Sequence, residues 1–265
     1  MAVINFYKYQ GTGNDFVMID DRDQRFPYNA AESTQFDTRI IARICDRKFG
    51  VGADGLILIR DHDEYDFEMI YFNADGSQSL CGNGSRCAVR FANYLGIIQN
   101  ETCFLAIDGP HEAFIEEDLI HLKMGNVNQV KKMNGHWFID TGSPHVIKFI
   151  EDLEAFDVYE EGKAIRHDQA FAPNGTNVNF VEACSMDELF VRTFERGVEN
   201  ETLSCGTGVT AVSLAASYEK FTSPVKIKTL GGSLQVSFDK IDNQKFENIY
   251  LIGPAGMVFE GTIQL

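Results

Sequence analysis

Two thiols are placed where they could do chemistry. Cys81-Gly82-Asn83-Gly84 runs into Ser85-Arg86-Cys87-Ala88-Val89-Arg90-Phe91-Ala92, and Cys205-Gly206-Thr207-Gly208 runs into Val209-Thr210-Ala211-Val212-Ser213-Leu214-Ala215-Ala216. Each copy is cysteine, glycine, a polar residue and glycine, followed by an apolar, alanine-containing run. The pattern predicts a helix beginning at each cysteine. A helix N-terminus carries partial positive charge and unpaired N–H donors, which favour a thiolate and can hold a carboxylate. Gly82, Gly84, Gly206 and Gly208 either shape turns or let backbone N–H groups approach a carboxylate. Asn83 and Thr207 can cap their helices and also touch a ligand. One such thiol in each half of the chain suggests a site at a pseudo-twofold axis. That geometry suits a reaction needing one base and one acid on opposite faces of the same carbon. An ordinary cysteine is a small buried hydrophobe, which is the reading for Cys45, Cys87, Cys103 and Cys184.

The elements that must hold these thiols are mostly short strands. In the first half they are expected at Val3–Tyr7, Phe16–Asp20, Leu56–Arg60, Phe67–Phe72, Glu112–Ile115 and Leu119–Met124. In the second half they are expected at Trp137–Thr141, His145–Phe149, Val178–Ala183, Glu188–Phe194, Lys226–Leu230, Leu234–Phe238, Ile249–Ile252 and Met257–Ile263. These runs are rich in Val, Ile, Phe and Tyr and are bounded by Gly, Asn and Asp. Glu116-Glu117-Asp118 and Asp242-Asn243-Gln244 read as hairpin turns. Helical spacing is found at Asp37–Cys45 and after each cysteine motif; Val209 through Ala216 is apolar nearly all round, the mark of a buried helix. Many strands around one buried helix, seen twice, predict an α+β protein of two similar domains. The boundary is expected near Met124-Gly125-Asn126, giving domains 1–125 and 126–254.

At 265 residues the chain can bury a large core. Its 23 Lys and Arg against 39 Asp and Glu give a net charge of −16. That argues against nucleic acid or an anionic membrane as partner, but a small anionic substrate needs only one arginine in a pocket. No apolar run is long enough to span a membrane, and the first residues lack the pattern of a secretion signal, so a cytoplasmic location is expected. The six cysteines form no C-x-x-C pair and no zinc-spaced cluster with histidine, so no metal is expected. Gly50-Val51-Gly52-Ala53-Asp54-Gly55 looks superficially phosphate-binding but lacks the lysine and long helix of a P-loop.

Four segments together resemble the diaminopimelate epimerase family of cofactor-independent amino-acid epimerases. They are Gly11-Thr12-Gly13-Asn14-Asp15-Phe16; Asn73-Ala74-Asp75-Gly76-Ser77 leading to the first cysteine motif; Asn177-Val178-Asn179-Phe180; and Glu195-Arg196-Gly197 leading to the second. The resemblance implies two pseudosymmetric domains, each a strand-rich layer wrapped around a central helix, with strand 255–265 returning to the first domain. It implies interconversion of LL- and meso-2,6-diaminoheptanedioate, in lysine and peptidoglycan precursor synthesis, with Cys81 and Cys205 as the two acid–base groups and no cofactor. Without pyridoxal phosphate the carbanion must be stabilised electrostatically in a dry site. The resemblance further assigns Asn14, Asn73 and Asn177 to substrate hydrogen bonds, Arg196 to the distal carboxylate, Glu195 to tuning the thiols and contacting substrate, and His145 to tuning. Two departures bear on recognition: Ser143 and Gly55 stand where the family often has Asn and Gln. They leave open a related racemase acting on proline, hydroxyproline or histidine. A binding protein without turnover and a thiol redox sensor are the alternatives from other classes. Oligomeric state is open, a homodimer being one admissible assembly.

Overall fold

The computed structural model describes residues 3–26 and 36–264. Contacts divide the chain into two compact units, Met1–Leu122 with Pro254–Leu265, and Lys123–Gly253.

The first unit is built from β1 (Val3–Gly11), β2 (Asn14–Asp20), α1 (Thr38–Cys45), β3 (Gly55–Arg60), β4 (Glu68–Asn73), α2 (Gly82–Tyr94), β5 (Glu101–Ala106), β6 (Gly109–Glu116) and β7 (Leu119–Lys123). β1 and β2 pair antiparallel, β2 and β3 parallel, β3 and β4 antiparallel, β4 and β5 parallel, and β5–β6–β7 is an antiparallel meander. Strand alternation sorts the side chains between two helices. Val17, Ile19, Leu56 and Leu58 join Ile41 and Ile44 of α1 in one core. Phe16 and Ile57 face α2, where each comes within 3.5 Å of the Cβ position of Gly84.

The second unit repeats the plan with β8 (Val130–Met133), β9 (His136–Asp140), β10 (Pro144–Phe149), α3 (Val158–Arg166), β11 (Asn177–Ala183), β12 (Glu188–Glu195), β13 (Asn200–Thr202), α4 (Gly206–Ala216), β14 (Val225–Thr229), β15 (Gly232–Lys240) and β16 (Phe246–Gly253). From β9 the pairings run antiparallel to β10, parallel to β11, antiparallel to β12, parallel to β14, then antiparallel through β15 and β16. This is the order found from β1 to β7, and in both units the cysteine-led helix lies in the crossover of the second parallel pair, β4–β5 and β12–β14. β17 (Gly256–Gln264) pairs antiparallel with β1, as β8 does with β9. The fold is therefore α+β, with one central helix per unit. In α4 every residue except Thr207 is buried; its Thr210 and Ser213 hydroxyls donate to the carbonyls of Gly206 and Val209, both at 2.9 Å, so burial leaves them satisfied.

Several elements lie beyond the sequence reading. β5 begins on polar residues, but its buried Thr102, Phe104 and Ala106 keep the period of two. Adjacent lysines mask β8, and β13 is three residues long. The missed helix α3 carries Gly162 mid-helix, where a Cβ would sit 2.4 Å from Phe194 Cβ; close packing demands the residue that hides the helix in the sequence. The turn Glu117–Asp118 has both φ angles positive, at 48° and 65°, as a two-residue hairpin requires. The Gly50–Gly55 segment spends its N–H groups on α1: Gly50 donates to Asp46, Val51 and Gly52 to Ile44, and Ala53 to Cys45 carbonyls. Those amides are helix caps and are not turned toward an anion.

Candidate active site

In the first unit Cys81 is the N-cap of α2, its Sγ accepting from the Gly84 N–H at 3.4 Å. The turn between β1 and β2 brings Asn14 against it. Cys81 Sγ donates to Asn14 Oδ1 at 3.5 Å, and Asn83 Nδ2 donates to the same oxygen at 3.3 Å. The amide of Asn14 is oriented from behind, because its Nδ2 donates to Asp54 Oδ2 at 2.6 Å. A carboxylate only accepts, so Asp54 fixes which end of Asn14 meets the thiol. Asp54 belongs to a charged network: Arg47 reaches Asp54 and Asp15, each at 2.7 Å, and the buried Lys8 reaches Asp15 at 2.7 Å. Hydrogen bonds from Arg47 and Lys8 hold the Asp15 carboxyl well below the usual range, against the opposing effect of burial. Asn73 is engaged by its own loop. It accepts from Tyr71 Oη at 2.9 Å and donates to Ser77 Oγ and Ser79 Oγ at 3.0 and 3.1 Å. Gly55 lies under the Tyr71 ring, and a Cβ there would be 2.5 Å from Tyr71 Cε2 and 2.6 Å from the Phe72 carbonyl oxygen. The aromatic ring excludes any side chain at position 55.

Arg86 was not foreseen. It is fully buried on α2, one turn past the cysteine, and donates to Thr12 Oγ1 at 3.2 Å. Among the described residues its Nε and Nη1 have no hydrogen-bond partner. Burial lowers its pKa, opposed by the thiols of Cys87 and Cys81. Cys87 is fully buried and burial pushes its thiol up; burial also pushes the Cys45 thiol up, to about 12.

In the second unit Cys205 is the buried N-cap of α4. Thr207 Oγ1 lies 3.5 Å from its Sγ and 2.9 Å from His145 Nε2. Ser143 Oγ is 3.0 Å from the same ring nitrogen and 3.2 Å from Thr207 Oγ1. Alternation along β11 puts Val178 and Phe180 in the α3 core, with Phe194 and Val158. It leaves Asn177 and Asn179 on the face that carries His145. Asn177 Nδ2 donates to Ser143 Oγ at 3.2 Å, and its Oδ1 accepts from the Arg196 N–H at 2.8 Å. Asn179 Nδ2 lies 3.0 Å from His145 Nδ1. Gly208 is the residue that allows this, since a Cβ there would meet Asn179 Oδ1 at 2.5 Å. His145 is fully buried, and desolvation followed by the charge of Arg196 lowers its pKa to about 3. It is a neutral imidazole near pH 7. Glu195 Oε2 accepts from Thr202 Oγ1 at 2.9 Å. The half-buried Arg196 pairs with no carboxylate among the described residues.

The fold thus gathers Asn14, Cys81, Gly82 and Asn83 in one unit, and His145, Asn177, Cys205, Gly206 and Thr207 in the other, with Glu195 and Arg196 at the end of β12. Asn73 is held by Ser77 and Ser79, the latter two residues before Cys81. Sequence reasoning missed Asp54, Arg86 and Asn179. The alternation in Asn177-Val178-Asn179 was the available signal for the last. Among the described residues no group of three or more His, Cys, Asp or Glu side chains could hold a metal ion, and no helix is long and apolar enough to cross a membrane.

The family model described as "Diaminopimelate epimerase" matches residues 6–130 and 137–258. A diaminopimelate epimerase of Flavobacterium psychrophilum is 49% identical over 264 residues, covering 98% of this chain and 100% of that protein. One from Aquifex aeolicus is 40% identical over 276 residues, covering 98% of each. Among solved structures, a Bacillus anthracis protein of the PhzF phenazine-biosynthesis family superposes with a TM-score of 0.77 at 16% identity over 100% of both chains. A probable proline racemase of Agrobacterium radiobacter gives 0.65 at 15% identity, covering 99% of this chain and 92% of that one. At such identities the structures share the fold. The sequence matches reach further: this chain is an isomerase belonging to the diaminopimelate epimerase family.

Proposed function

We propose that the protein interconverts LL- and meso-2,6-diaminoheptanedioate by a two-thiol mechanism without a cofactor. The observation that carries the reading is the duplicated cysteine: each unit places one at the N-cap of its buried central helix, at the same point of the same strand order. One thiolate takes the Cα proton, leaving a carbanion next to the carboxylate. The other thiol gives its proton to the opposite face of that carbon. The two sulfurs exchange protonation state in each turnover, and the reverse reaction swaps their roles. Backbone N–H groups at Gly82–Gly84 and Gly206–Gly208 would hold the α-carboxylate and the charge that develops on it. Asn14, Asn73, Asn83, Asn177 and Thr207 are the side chains assigned to the substrate. Arg196, with no carboxylate partner among the described residues, suits the distal carboxylate, for which guanidinium offers a bidentate fork. His145 is held neutral by burial, so it tunes Cys205 through the direction of a hydrogen bond and not through charge. The product would enter the lysine and peptidoglycan precursor pathway, which places the enzyme in the cytoplasm.

The test is turnover on a panel of L-amino acids. LL-diaminoheptanedioate should be the preferred substrate, and Arg196→Lys should lower its kcat/KM ten- to hundredfold, the value of a lost charged hydrogen bond of about 1.5–3 kcal/mol. Preferred turnover of proline, hydroxyproline or histidine would overturn the substrate and leave the isomerase class standing.

A further inference from the structure

Cys205 lies at the end of a hydrogen-bond network whose direction is fixed at its far end. Asn179 is fully buried on β11. Its Oδ1 accepts from Thr193 Oγ1 at 3.0 Å, and its Nδ2 donates to the Val146 carbonyl at 3.2 Å. A carbonyl can only accept, so the amide cannot turn over. The same Nδ2 faces His145 Nδ1 at 3.0 Å. An amide NH2 can only donate, so Nδ1 is the bare nitrogen and the ring hydrogen sits on Nε2. Nε2–H then faces Thr207 Oγ1 at 2.9 Å, with Ser143 Oγ beside it at 3.0 Å.

A second branch meets the same hydroxyl. Asn177 is fixed by the Arg196 N–H on its Oδ1 and by the Pro144 carbonyl, to which its Nδ2 donates at 3.0 Å. Its Nδ2 also donates to Ser143 Oγ, which lies 3.2 Å from Thr207 Oγ1. With Nε2–H facing it, Thr207 Oγ1 accepts from the ring and its own hydrogen can be donated to Cys205 Sγ, 3.5 Å away.

We propose that Asn179 is a positioning residue for Cys205: by holding His145 as its Nε2–H tautomer, it makes Thr207 a hydrogen-bond donor to the sulfur and so favours the thiolate. The inference rests on Cys205 being one of the two acid–base groups, but its readouts need no turnover. The charge acting on the imidazole is that of Arg196. The other ionisable groups on the strands next to His145 lie at exposed or half-buried positions: His136 and Asp140 on β9, Lys148 on β10 and Glu182 on β11. Asp140, Lys148 and Glu182 have partners of their own. α4 carries no charged side chain. A neutral ring with one fixed hydrogen is therefore the switch point of the network.

Two measurements test this. The first is the 15N spectrum of His145 in the unaltered protein between pH 6 and 8. A bare Nδ1 and protonated Nε2 are expected; the opposite tautomer would overturn the proposal whatever any variant does. The second is the pH profile of iodoacetamide alkylation at Cys205, read peptide by peptide with Cys81 as internal control. Asn179→Asp accepts where Asn179 donates, and should raise the Cys205 midpoint by about one pH unit, a tenfold loss of rate below it. Thr207→Val should give a similar rise, and the double variant no more than either alone, because both act through one hydroxyl. An unmoved midpoint in Asn179→Asp, or a double variant whose rise is the sum of both, would refute the relay. Full turnover by Cys205→Ser would instead remove the catalytic reading and leave these results intact.

Discussion

Lowering the pH from 7 to 5 should destabilise the second unit through His145. The imidazole is fully buried and its pKa is lowered from 6.5 to about 3 by desolvation and the Arg196 charge. A depressed pKa means that the fold prefers the neutral ring. The stability it contributes is complete above the unfolded value of 6.5 and is lost as pH falls below it, the loss levelling off near 3. Between pH 7 and 5 the unfolded chain takes up nearly one proton that the folded chain refuses. At about 1.4 kcal/mol per pH unit this costs about 2 kcal/mol. The chain has one tryptophan, Trp137, on β9 and paired with Ile147 of β10, so its fluorescence reports unfolding of this unit. Urea unfolding should be followed at pH 7 and 5 for the protein and for His145→Gln. His136 and His121, whose pKa values burial also lowers, are present in both and cancel. The stability difference between the two proteins should change by about 2 kcal/mol over this range. A difference independent of pH would mean that His145 is charged or solvated in the fold, and the neutral relay would fall with it.

Gly208→Ala places a Cβ 2.5 Å from Asn179 Oδ1; it should cost about 1–3 kcal/mol in urea unfolding, and an unchanged midpoint would show that Asn179 does not press on α4. Asp54→Ala should lower kcat/KM about tenfold by releasing the Asn14 amide, with little change in Tm because the Asp54 ion pair is largely exposed; full activity would show that Asn14 holds its orientation unaided. Arg86→Met should raise the unfolding midpoint, by removing a buried guanidinium with two nitrogens unsatisfied among the described residues, while lowering turnover at least tenfold, since a positive charge beneath Cys81 favours its thiolate. Lower stability with unchanged turnover would make Arg86 a structural residue only.

The cysteine helices were legible because a run of small apolar residues reads as a buried helix, and because the motif occurs twice. The strands were legible where alternation was clean, as in Val178–Ala183. What stayed hidden was polar and three-dimensional. Asp54 is distant in sequence from Asn14, and the antiparallel turn of β1 and β2 with the parallel register of β2 and β3 makes them neighbours. Arg86 reads as an ordinary exposed helix charge until α2 is seen to be buried on nearly every side. Asn179 was quoted inside a motif, yet its role follows only once His145 is paired beside Asn177 and Asn179 across β10 and β11. Gly55 read as a loss of recognition; the ring of Tyr71 above it shows why no side chain fits.

The most direct measurement is solvent-deuterium incorporation at Cα of LL-2,6-diaminoheptanedioate, by the protein and by Cys81→Ser and Cys205→Ser. The unaltered protein should place solvent deuterium on the inverted carbon as the meso isomer forms, and each serine variant should lose this almost completely. Near-native inversion by either variant, or inversion that retains the original hydrogen, would contradict the two-thiol account.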